Sequence, residues 1–132
     1  MPKHAIGSNH SFTQLFNAFG ADPQKDTDPH YLLWKGDKIL ALCLRYKFNP
    51  EPGEVWIGND GQVAEWGKKL AALKDKTLPL YYSPRGRQFY DCKGDHFITG
   101  ATDDPKELAK RKGPVPLSRI VFIHPVRTVG RK

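Results

Sequence analysis

Apolar and polar positions alternate along this chain in a way that predicts short strands joined by tight turns, broken by three helical stretches. Ser11 to Phe19 is the first helix. Ser11 caps it, Gln14 completes a capping box, and Phe12, Leu15, Phe16 and Phe19 form one apolar stripe that Gly20 ends. Residues 21–29 form a polar, proline-bearing connector. Tyr31–Trp34 and Lys38–Tyr46 flank Lys35-Gly36-Asp37 as a β-hairpin, and the near-continuous run ILALCLRY predicts a central strand buried on both faces. After the loop Asn49–Gly53 comes a short strand, Glu54–Ile57.

Asn59 to Lys74 carries the clearest helical period. Asn59 or Asp60 caps it, and Val63, Trp66, Gly67, Leu70 and Leu73 share one face, with Lys68, Lys69 and Lys74 mostly off it. A glycine inside a helix costs up to about 1 kcal/mol of propensity, so Gly67 points to a close backbone approach there. Leu78–Tyr82 and Gln88–Cys92 are strands around the turn Ser83–Arg87, and Lys93-Gly94-Asp95 turns again into His96–Thr99. Asp104 caps a short helix with Pro105 first, running to about Lys112, and Gly113–Pro116 stops it before a last strand, Leu117–His124. About seven strands, mostly hairpin-linked, and two to three helices predict an α+β fold: a curved, mainly antiparallel sheet or small β-barrel packed by the 59–74 helix.

Length adds one constraint. At 132 residues the chain is expected to be a single domain spanning 1–132, with residues 1–10 and 127–132 flexible. No apolar stretch is long enough for a membrane-spanning helix, and the N-terminus lacks the apolar core of a secretory signal. Two cysteines 49 positions apart do not make a disulfide framework, so a reducing cytoplasm with both as thiols is the expected setting.

Charge narrows the function. Residues 1–104 are balanced, with 13 basic and 13 acidic side chains, and the whole net charge of +7 lies in residues 105–132. A concentrated basic segment attracts polyanions, nucleic acid first among them. The candidate phosphate contacts are Arg85 and Arg87, on either side of Gly86 in the hairpin turn, and Lys110, Arg111, Lys112, Arg119 and Arg127. Strand-borne aromatics supply stacking surface, because alternation turns one of Tyr81 and Tyr82, and one of Phe89 and Tyr90, away from the core.

Catalytic motifs are missing: there is no GxSxG, P-loop, HExxH or clustered His/Cys set, so neither a metal nor a cofactor is expected. One weak alternative survives. Asp91-Cys92-Lys93 has an acid-x-Lys pattern at a strand end, and with His96 it would be the catalytic group of a metal-dependent nuclease or a glycosylase. A third class is an accessory domain whose basic tail meets an acidic protein partner.

The order of elements, with EVWIG running into the capped helix and the aromatic hairpin LYYSPRGRQFYDC, resembles the PUA-like superfamily of small β-barrels, which includes the SRA, YTH, EVE and ASCH domains. That resemblance implies a nucleic-acid reader, of DNA or RNA, with a pocket for a modified or flipped base. Trp34, Trp56, Tyr82 and Asp91 are then the candidate walls and edge-reading group.

Overall fold

A computed structural model describes residues 4–20, 31–35, 38–51, 53–59, 61–84, 89–111, 113 and 116–126, with Gln62 described through its backbone alone. The fold is α+β: seven strands in a curled half-barrel sheet, with three helices. The strands are β1 (Asn9–Ser11), β2 (Leu32–Lys35), β3 (Lys38–Arg45), β4 (Glu54–Gly58), β5 (Thr77–Ser83), β6 (Phe89–Thr102) and β7 (Leu117–Pro125). The helices are α1 (Phe12–Phe19), α2 (Gly61–Ala71) and α3 (Pro105–Ala109). The sheet order is β2-β3-β5-β6-β7-β4, with β1 added to β6, and every pairing is antiparallel except β3 with β5.

Each face of β3 feeds a different core, which is why its sequence is apolar almost throughout. Ile39, Leu42 and Leu44 join Val55, Ile57, Leu78, Leu80, Ile98, Val121 and Ile123 beneath Trp66 and Leu70 of α2. Ala41 and Cys43 join Leu33, Tyr81, Tyr90 and Cys92 beneath Leu15 and Phe16 of α1. The first helix starts as its sequence predicts: Gln14 N donates to Ser11 Oγ at 3.1 Å, Ser11 N donates to Gln14 Oε1 at 2.9 Å, and Gly20 closes it at φ +72°. Gly67 is the close approach expected of it. A Cβ there would lie 2.7 Å from Ile57 Cγ2 and 2.9 Å from Cδ1, so α2 sits directly on β4.

Helix α2 is shorter than the 59–74 span that the sequence predicts, and three other stretches also differ from expectation. Lys93-Gly94-Asp95 does not turn the chain: β6 runs unbroken from Phe89 to Thr102. Gly94, at φ +84°, supports a bulge in which Tyr81 pairs with Cys92 and Leu80 with Gly94, leaving Lys93 as the extra residue. The segment before α1 also pairs with β6. Gly7 N donates to Cys92 O and Cys92 N to Ser8 O, both at 2.8 Å, so residues 4–11 run along a strand rather than leaving the fold. Finally α3 has five residues and stops at Ala109, although Asp104 caps it as expected, accepting from Lys106 N at 3.0 Å.

Candidate functional site

The sequence candidates fall into groups that the fold separates. Arg85, Arg87, Lys112 and Arg127 lie outside the described residues. Of the remaining cations, Arg111 is an anchor. Its guanidinium forms a two-pronged pair with Glu54 of β4, Nη2 to Oε2 at 2.8 Å and Nε to Oε1 at 3.1 Å, and also reaches Glu107 of α3. The indole N–H of Trp56 donates to the same Glu54 at 2.8 Å. Arg111 is 15% and Glu54 22% exposed at the side chain, and those hydrogen bonds, Arg111's first, hold the Glu54 carboxyl below the usual carboxylate range. Lys110 pairs with Glu107 at 3.0 Å and Arg119 with Asp103 at 3.7 Å. Three cations of the C-terminal basic segment, Lys110, Arg111 and Arg119, are therefore paired with acids, and the segment follows Thr102, the end of β6 opposite Phe89.

The proposed pocket residues divide as well. Trp34 packs on the α2-side core and stacks on Trp66, ring centroids 4.7 Å apart, with Lys69 Nζ 4.1 Å from the Trp66 centroid on the same helix. Its indole N–H is buried with no partner among the described residues. Trp56 lies between Val55 and Ile57 on β4. Those neighbours point into the α2-side core, so pleat alternation turns Trp56 to the other face. Tyr82 and Asp91 do come together, as cross-strand partners on β5 and β6. Tyr82 donates its hydroxyl to Asn49 O at 3.1 Å, and Asp91 accepts from the Asn9 side-chain amide at 2.7 Å. Burial, and then the neighbouring Tyr46 phenol, raise the Tyr82 phenol above its ordinary value.

The alternative catalytic group does not converge. Asp91 precedes the bulge, and Lys93 is its exposed extra residue. His96, beyond the bulge, is buried, and its Nδ1 donates to Gly94 O at 3.1 Å. Burial lowers the His96 pKa despite that bond, favouring the neutral ring. Among the described residues no group of three or more His, Cys, Asp or Glu is arranged to hold a metal ion, and no helix is long and apolar enough to cross a membrane.

Beside Tyr82 and Asp91 lies a surface absent from the sequence candidates. Where β3 ends, Arg45-Tyr46-Lys47-Phe48 turns away from the sheet. Tyr46 N donates to Ser83 O at 2.9 Å, and Arg45 pairs in register with Ser83, which fixes this turn to the end of β5. Asn49 holds its far side: its side-chain oxygen accepts from Trp56 N at 2.7 Å, its N–H donates to Arg45 O at 2.9 Å, and its carbonyl accepts from Tyr82. The Arg45 guanidinium carbon and Lys47 Nζ lie 5.0 and 5.5 Å from the Phe48 ring centroid, while Tyr46 is 56% exposed. Phe89, where β6 begins at this same end, is 54% exposed. The signal was present in sequence: the apolar run of β3 gives way to alternating basic and aromatic residues.

A second grouping, also unread in the sequence, lies where residues 4–11 cover β5. His4 and His10 stack with centroids 3.9 Å apart, and His4 Nδ1 lies 2.6 Å from the Tyr81 hydroxyl. The chain matches no protein-family model, no curated protein and no solved structure.

Proposed function

We propose that this chain binds nucleic acid through the end of the half-barrel where β3 leaves the sheet and β5 gives way to β6. The observation that carries the reading is the Arg45–Phe48 turn, in which two cations lie against the Phe48 ring and Tyr46, between them in sequence, is exposed, on a backbone fixed by Ser83 and Asn49. Arg45 and Lys47 meet phosphates, and Tyr46 meets a base. Within this reading, and in line with the PUA-like resemblance, Tyr82 and Asp91 are the base-pocket candidates adjacent to the surface.

Fluorescence polarisation with labelled DNA and RNA oligonucleotides over a salt series tests this. Binding weakens with salt, and for a single strand each lost phosphate contact lowers the slope of log K against log salt by about 0.7. Arg45→Ala with Lys47→Ala therefore lowers the slope by about 1.4. Absence of binding at low salt, or an unchanged slope in the folded double variant, overturns the proposal.

A further inference from the structure

Resting on that reading, we infer that the ligand is a single strand, and that two neighbouring unpaired bases stack on Tyr46 and Phe89. These are the two most exposed aromatic side chains, at 56% and 54%, and neither ring stacks on another among the described residues. They belong to one surface. Tyr46 is tied to Ser83 on β5, and β5 also pairs with β6 through Tyr82 and Asp91. Phe89 is two residues from Asp91, so the pleat sets both on the side of the sheet where Tyr82 packs. Asn49, which closes the turn that carries Tyr46, accepts from the Tyr82 hydroxyl on that side.

Two strand spacings, roughly 10 Å, separate the backbones of β3 and β6, which carry the chain to the two rings. In a duplex the bases are stacked about 3.4 Å apart and their faces are covered, so no base can lie on either ring. A splayed single strand can offer one base face to each, with Arg45 and Lys47, which lie against the Phe48 ring in the same turn as Tyr46, available to its phosphates. The carboxylate of Asp91, held by Asn9 and two residues along β6 from Phe89, disfavours a phosphate on that side of Phe89.

The test measures the affinity of the full chain for one labelled oligonucleotide, as a single strand, annealed to its complement, and as single strands with abasic residues at two adjacent positions. The single strand binds tightest, and the two abasic residues weaken it. Tyr46→Leu and Phe89→Leu, which keep apolar area but lose the π-face, each weaken single-strand binding by about 5-fold to about 100-fold, whereas Phe89→Tyr retains it. Circular dichroism verifies that these exposed positions leave the fold intact. Equal affinity for strand and duplex, or leucine variants that bind like wild type, overturns this inference while leaving nucleic-acid binding in place. Failure of both strand and duplex to bind overturns the underlying reading with it.

Discussion

Replacing Gly67 by alanine tests how tightly α2 is seated on the sheet. In an ordinary helix interior the change is favourable by up to about 1 kcal/mol, since alanine is the better helix former. Here the new methyl would lie 2.7 Å from Ile57 Cγ2 and 2.9 Å from Cδ1. Ile57 is fully buried on β4, and Cγ2 sits on its branched Cβ, where χ1 is stiff. The side chain cannot swing clear, so α2 or β4 must shift. Overpacking of this kind costs about 1–3 kcal/mol. With the full propensity gain set against it, the expected net loss is up to about 2 kcal/mol, or up to about 8 °C in melting temperature for a chain of this length. Urea melts followed by tryptophan fluorescence measure it. Gly61, at the start of α2, where a Cβ meets nothing within 4 Å, is the control and should tolerate alanine. In an Ile57→Ala background both close contacts vanish, and Gly67→Ala should turn stabilising by up to about 1 kcal/mol. A Gly67→Ala protein at least as stable as wild type, with no coupling to position 57, refutes this account of the contact.

Three further outcomes follow from the geometry. Arg111→Ala strands the Glu54 carboxylate on a part-buried surface and should cost about 1–3 kcal/mol by urea melting; because Glu54 titrates below its ordinary 4.5 when folded, wild type should lose this contribution as pH falls through that lower value, and Glu54→Gln should remove that part of the acid sensitivity. His96 has a lower pKa when folded, whereas the unfolded chain takes up its proton near 6.5, so stability should decline as pH drops from that value toward the folded one, by at most about 1.4 kcal/mol per pH unit; melts of wild type and His96→Gln between pH 7 and pH 5 should show a shallower slope in the variant. Trp34→Phe removes a buried N–H that has no partner and should change stability by less than about 1 kcal/mol, whereas Trp56→Phe breaks the bond to Glu54 and should cost about 1–3 kcal/mol; equal effects would contradict the assigned partners.

Local chemistry made much of the fold legible. The Ser11/Gln14 box, the Asp104 cap and the Gly67 contact each depend on residues within a few positions or on one missing side chain. Glycine at 94 marked a backbone with positive φ, but a turn and a bulge make the same demand, and the register of β5 decided between them. Strand β1 is three polar residues and has no period to read; its partner β6 defines it. The predicted number of strands agrees because this unread strand offsets the merging of two predicted ones into β6. The parallel pairing of β3 with β5 spans β4 and α2, a long-range choice that no short-range pattern specifies. The site was harder to read for the same reason. Net charge marked residues 105–132, but sequence does not reveal that Arg111 meets Glu54 from 57 positions away. Arg45 and Tyr46 read as the end of a strand, since nothing local says that Ser83 and Asn49 hold the Arg45–Phe48 turn.

The central claim is that nucleic acid is gripped at the β3–β5–β6 end and not along the basic C-terminal segment. Backbone amide NMR shifts, followed while a short single-stranded oligonucleotide is titrated in, locate the contact directly. The account predicts the largest changes at Arg45–Asn49, Tyr82, Ser83 and Phe89–Asp91, with Lys106–Arg111 and Arg119 nearly still. Changes concentrated on α3 and β7, with Tyr46 and Phe89 unmoved, would contradict it.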